Sequence, residues 1–129
     1  MGGTGMTVYV DDMRAKFGRM VMCHMIADTD DELHAMADRI GVARRWHEGP
    51  PKHDSHYDIS LGKRAIAVAA GAVEITWRQC GLMTLRRRRT GSLGCPAAVQ
   101  AWFDDYHAAK VSAEAEDSLS AARQPMDGQ

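Results

Sequence analysis

Only three cysteines occur among the 129 residues, Cys23, Cys80 and Cys95. They are too few and too scattered for a disulfide framework, and no pair has the close spacing of a structural zinc site. They read as free thiols, mostly core fillers. Long hydrophobic runs are also missing. None approaches the roughly 18 to 20 residues that span a bilayer, and the Gly-rich start lacks the basic and apolar regions of a secretory signal. The expectation is a cytoplasmic protein without a membrane partner. Aromatic residues make up only 6%, fewer than a single-strand binder built on many stacked rings would carry. There is no P-loop, no complete Gly-x-Gly-x-x-Gly, no Cys-x-x-Cys, no Gly-x-Ser-x-Gly and no internal repeat, so the enzymes those motifs announce are not indicated.

What is present is ordinary for a folded chain with one hydrophobic core: 45% apolar and 26% charged residues. The net charge of -1 hides a segregation along the chain. Residues 61–91 hold seven Lys or Arg (Lys63, Arg64, Arg78 and Arg86 to Arg89) against the single acid Glu74. Acids outnumber bases on either side of that segment. A basic middle suits nucleic acid or a phosphorylated ligand, and equally suits pairing with the flanking acids.

Met1 to Gly5 reads as a flexible leader, residues 6–110 as a single α/β domain, and residues 111–129 as a mobile tail with nothing to pack. Thr7 to Val10 is β-branched and aromatic and predicts a strand, as does the apolar run Met20 to Ile26. Thr29-Asp-Asp-Glu32 is a capping-box pattern opening a helix over 30–40, with Gly41 placed to end it. Val42 to Trp46 is expected to return as a strand, giving strand, helix, strand and a parallel pairing. Glu48 to Ser55 is a loop delivering His56-Tyr57-Asp58-Ile59 to a second helix capped by Ser60, with Leu61, Ala65, Val68 and Ala69 as its buried face. A short strand over Ala72 to Ile75 follows. Thr76-Trp-Arg-Gln79 repeats the capping pattern and opens a helix running to about Arg89, stopped by Gly91. Pro96 starts a last helix with Val99, Trp102, Phe103 and Tyr106 on one face. The expected fold is a small α/β domain, a three- or four-stranded, largely parallel sheet with about four helices.

Lys63 and Arg64 stand in the first turn of the second helix, the end that favours negative charge, at a cost of roughly 0.3 to 1 kcal/mol each when exposed. A phosphate over the Ser60 to Lys63 amides, clamped by Lys63 or Arg64, would reverse that cost. The bland alternative is that both side chains lie over apolar surface or pair with Asp58. His56 and Asp58 fall on one side of an extended Tyr57, so a proton-transferring His and a carboxylate that orients it or binds metal can converge. Asp11 and Asp28 follow strands, and oxygen ligands at the carboxyl ends of parallel strands would hold Mg or Mn beside a phosphate. A turn or cap explains the same two residues. His24, inside the second strand, either joins the site or is a hydrogen-bonded core histidine. Arg86 to Arg89 sits at a helix C-terminus, where a solvated face explains it, and His34 with Asp38 reads as an exposed pair one turn apart.

Val8-Tyr-Val-Asp11, His24 with Ala27-Asp28-Thr29, Glu32-Leu-His34, His56-Tyr57-Asp58, Lys63-Arg64 and Gly71-Ala72 together resemble the small bacterial and phage proteins catalogued as domain of unknown function 4031. The resemblance covers roughly Thr7 to Gly94. It implies a compact domain, carries no activity with it, and draws attention to His24, Asp28, His56, Asp58 and Arg64. The first functional expectation is a phosphate-handling protein, a metal-assisted hydrolase or transferase acting on a nucleotide or nucleic-acid phosphoester. In it His56, Asp58 and His24 do the chemistry, Ser60, Lys63 and Arg64 bind phosphate, and Asp11 and Asp28 hold Mg or Mn. The alternative is a non-catalytic module that binds nucleotide, nucleic acid or a host protein through segment 61–91. A third is an adaptor using the C-terminal helix.

Overall fold

The structure is a computed structural model that describes residues 7–123, the last four as helix backbone only. The expected leader and the end of the expected tail lie outside the described residues. Five strands form one sheet among the described residues: β1 (Val8–Val10), β2 (Ala15–Phe17), β3 (Met20–Ala27), β4 (Tyr57–Ser60) and β5 (Val73–Glu74). Four helices pack on it: α1 (Asp30–Ile40), α2 (Leu61–Ala69), α3 (Trp77–Thr90) and α4 (Pro96–Arg123).

Alternation along the strands builds two cores, one on each face. Val8, Val10, Cys23, Met25, Ala27, Tyr57 and Ile59 point to one face and meet Leu33, Ala37 and Ile40 of α1 and Ala67 of α2. Tyr9 and Ile26 point to the other and meet Cys80, Leu82 and Met83 of α3 and Val99 of α4. A central strand covered on both faces has no polar side to show, which is why β1 is apolar throughout and buried at all three positions.

The fold is α/β, but its sheet is mixed rather than largely parallel. β3 is antiparallel to β1, β2 and β4, and only β1 with β5 runs parallel. β1 and β2 lie end to end along one edge of β3. Val10 pairs with Met25 and Ala15 with Met22, so four residues on one side face two on the other, and Asp11 to Arg14 bulge out. The reason is the connection: residues 11–14 and the Gly18 turn allow a direct antiparallel return, where a parallel pairing needs a long crossover.

Two further expectations change. Val42 to Trp46 does not return as a strand; Arg44–Trp46 is a single 3-10 turn leading into the loop. His56 to Ile59 is not a helix-entry loop but β4 and the residue before it, with Tyr57 and Ile59 buried and Asp58 exposed. Because β4 runs straight into α2, the helix turns Ala67 inward, flanked by Val68, and leaves Ala65 and Ala69 exposed.

The helix ends follow the local signals closely. Gly41 and Gly91 adopt φ of 80° and 90°, the left-handed conformation that ends α1 and α3. The reciprocal capping box is complete at Thr76 and Gln79. At Thr29 the hydroxyl accepts from the Glu32 amide, and the Glu32 carboxylate accepts from that hydroxyl rather than from the Thr29 amide. α4 runs to Arg123, past Lys110, with residues 111–119 exposed. No helix among the described residues is long and apolar enough to cross a membrane.

The buried position of Ile59 in β4, paired with Cys23, distinguishes a strand from an entry loop. Ile59→Ala is expected to destabilise the chain by about 2 to 5 kcal/mol, measured by urea denaturation. A loss under about 1 kcal/mol would contradict the strand.

Candidate metal centre

The β1–β3 bulge leaves ladder positions without backbone partners, and the Asp11 carboxylate fills them. Its side chain is fully buried. Oδ1 accepts from the His24 amide at 2.9 Å and the Met13 amide at 3.2 Å, and Oδ2 lies 2.8 Å from His24 Nδ1. A carboxylate only accepts, so Nδ1 of His24 carries the proton and Nε2 is left with a lone pair. Burial pushes the Asp11 carboxyl up, but the bonds from the His24 ring and the two amides outweigh it, and the group is held below its ordinary value. The same Asp11 bond, against the opposing pull of burial and helped by the charges of Asp11, Asp58 and Glu48, holds His24 above its ordinary value.

His24 and Asp58 are direct cross-strand partners, so both side chains stand on the α3 face of the sheet. His56, two residues before Asp58, stands on the same face. Its Nδ1 donates to the Asp54 carbonyl at 2.6 Å, which again frees Nε2. The two free imidazole nitrogens converge on one oxygen: Asp58 Oδ1 is 3.8 Å from His24 Nε2 and 3.5 Å from His56 Nε2. The three donor atoms lie within 4.8 Å of one another. Ligands bonded at about 2.0 to 2.2 Å sit at most about twice that distance apart, so this set needs little closing to hold one ion. Both imidazoles already have the outer-shell partner that fixes a ligating tautomer.

A cavity of about 570 Å³ opens beside the two histidines, between the sheet and α3. His24, His56 and Cys80 line its depth, and Lys52, His53 and Arg88 bring positive or titratable groups to it. Arg88 is held 3.3 Å from Asp54. Cys80 also lies within 4.8 Å of Asp11 and His24, but burial, reinforced by Asp11, pushes its thiol well above the usual range. Asp11 has both oxygens engaged by His24 and the two amides.

The remaining expected site residues go elsewhere. Asp28 does not join Asp11: antiparallel pairing sets Val8 against Ala27 and Val10 against Met25, which places the two acids at opposite ends of β1. Asp28 is held above its ordinary value by burial and by Glu32. Ser60 caps α2 by accepting from the Lys63 amide. The two cations after it turn away from that end. Lys63 lies over Gly41, where an added Cβ would meet Nζ at 3.1 Å, a favourable place at the C-terminus of α1. Arg64 donates to the Asp11 carbonyl and pairs with Glu74 at 2.9 Å. His34 is not an exposed partner of Asp38; its Nδ1 bonds the Tyr57 hydroxyl at 2.8 Å.

Glu48 was not among the expected residues. It pairs with His56 across the loop as an isolated bridge, and its Oε1 comes within 3.3 Å of His56 Nε2. The signal for it was the Pro50-Pro51 turn, with Glu48 and His56 set to face each other at its base. Among family models, one described as a protein of unknown function (DUF4031) matches residues 8–88. No curated protein and no solved structure matches the chain.

Asp11→Asn is expected to cost about 2 to 3 kcal/mol at pH 5 to 6, because the charged acceptor of three bonds is lost. Asp11, held below its ordinary 3.8, contributes stability above that pH and loses it as pH falls through the lowered value. His24, held above its ordinary 6.5, contributes stability below that pH and loses it as pH rises through the raised value. The gap between wild type and D11N in urea denaturation is therefore widest between those two pH values and narrows on either side. A gap independent of pH would contradict the pairing.

Proposed function

We propose that this chain, which belongs to the DUF4031 family, is a metal-assisted hydrolase of phosphoesters. The observation that carries this reading is the pair of imidazoles, each tied at Nδ1, presenting both free Nε2 atoms to one Asp58 oxygen. His24, His56 and Asp58 would hold the ion, with Glu48 beside them. Two nitrogen donors favour Mn, Zn or Fe over Mg, which prefers an all-oxygen set. A divalent ion there supplies Lewis-acid polarisation of a phosphoryl oxygen and eases ionisation of water.

The chain's own groups supply the rest. Asp11 holds the His24 ring in place, and its burial keeps that orientation fixed without the ion. Lys52 offers positive charge to a phosphate in the cavity, where Arg88 is already paired with Asp54. Glu48 and His53, whose Oε1 and Nε2 are 3.9 Å apart, would pass a proton beside His56. By contrast, Arg64, Arg78, Arg86 and Arg87 are each bonded to a different part of the chain, so segment 61–91 does not present one continuous basic face.

Calorimetric titration of the chelator-treated protein with Zn or Mn is expected to give one ion per chain. His56→Ala should abolish uptake, and D11N should weaken it about 10- to 100-fold through the misoriented ring. Cleavage of bis(p-nitrophenyl) phosphate should require the ion and vanish with EDTA. Failure to bind any ion defeats the reading. Binding without cleavage of any phosphoester leaves a binding module in its place.

A further inference from the structure

The α3 face of the sheet is covered only in part. Helix α3 lies over Tyr9 and Ile26, while the far end of the same face is open. Register carries the face outward from the metal centre: His24 is opposite Asp58, Met22 opposite both Ser60 and Ala15, and Met20 opposite Phe17. Cross-strand partners share a side, so Phe17 and Met20 stand on the same face as the two site residues. They are about 13 Å away at the usual rise per residue. Phe17 is 74% exposed and Met20 47%. Trp77 is 61% exposed and borders both the main cavity and a shallower one lined by Asp12, Met13 and Arg14. Its backbone amide is held by the Asp12 carboxylate at 2.6 Å, which fixes the start of α3 under the ring.

The charge around Phe17 is of one sign. Arg14 and Arg19 lie on either side of it in the chain, Lys16 points to the opposite side of the sheet, and no acid occurs between Met13 and Ala27. Among the described residues none of the three makes an ion pair or a side-chain hydrogen bond, whereas Arg64 and Arg86 to Arg88 are all engaged within the chain. Unpaired cations around an exposed ring on a pleated surface are complementary to a polyanion that offers flat apolar faces.

We propose that the substrate is a single-stranded nucleic acid laid along this open face, with one base stacked on Phe17 and its backbone passing the His24, His56 and Asp58 cluster. The proposal deepens the phosphoester reading and rests on it for the role of the cluster. Aromatic residues are scarce in the chain, yet two of the exposed ones, Phe17 and Trp77, stand near the site, which is what base stacking needs. Paired bases are stacked on one another and do not offer their faces to a ring, so a duplex gains little here. A mononucleotide is too short to reach from the cluster to Phe17.

The test is fluorescence anisotropy of a labelled oligothymidylate with the full chain in EDTA, where no turnover occurs. The expected result is binding that exceeds that of thymidine monophosphate and of a duplex, falls steeply with salt, and weakens about tenfold or more in Phe17→Ala. Phe17→Trp should restore it. Arg14→Ala with Arg19→Ala should flatten the salt dependence. Unchanged affinity in F17A, or equal affinity for duplex, overturns the proposal. So does a wild-type dimer in sedimentation that F17A dissociates, because a second copy of the chain would then cover the face. The measurement needs no metal: if no ion binds and F17A still weakens the oligonucleotide, the hydrolase reading fails and the binding platform stands. If metal-dependent cleavage of the small diester holds and F17A leaves the oligonucleotide unaffected, the platform fails and the hydrolase reading stands.

Discussion

The Asp11 carboxylate is the contact on which the sheet and the site both depend. A charge taken fully out of water is costly unless every lone pair is used. Here two backbone amides and an imidazole donate to its two oxygens. The same few bonds close the gap left where β1 gives way to β2, so the bulge does not leave orphaned amides. They also select the His24 tautomer. The backbone carbonyl of Asp11 receives the Arg64 guanidinium, which anchors α2 to the end of β1 and, through Glu74, to the β5 edge. A strand defect, a side-chain orientation and a helix position are thus three results of one buried acid.

Electrostatics divide the basic residues into two populations that composition cannot separate. Those of α2 and α3 act as fasteners. Arg87 reaches the carbonyls of Ala27 and Ser55, Arg86 that of Ser92, Arg88 meets Asp54, and Arg89 lies over the Tyr106 ring. Four consecutive arginines on a helix point in four directions, and each finds its own surface. Among the described residues the cations of the β2–β3 hairpin have no such partners. A short edge ribbon has little around it to bond, so its charge stays available to solvent and to ligands.

The helix boundaries were legible because their signals are local. Thr29 with Glu32, Thr76 with Gln79, and the glycines at 41 and 91 act within four or five residues, and the chain behaves as they dictate. Strand direction was not legible, because it depends on which distant segments meet. In a largely parallel sheet Asp11 and Asp28, each following a strand, would share one edge; the antiparallel pairing of β1 with β3 separates them and sets Asp11 beside His24 instead. His56 and Asp58 were recognised from their alternation, which survives whether the segment is loop or strand. The partnership of His24 with them required knowing that β4 lies beside β3. Where Lys63 and Arg64 turn depends on groups distant in sequence, the Gly41 terminus and the Asp11 carbonyl, which draw those side chains from the helix start.

The short bridge between Glu48 and His56 separates two parts of the molecule that can change at different rates. Residues 49–55 border the cavity as a loop whose base is pinned by two backbone hydrogen bonds, while His24 and Asp58 are held from the sheet and His56 by that bridge and the Asp54 carbonyl at the loop's base. Insertions or substitutions at the loop tip therefore reshape the cavity wall without moving the donor atoms. Descendants of one ancestral chain could diverge in what they accept by rewriting that tip, with the chemistry beneath it inherited unchanged.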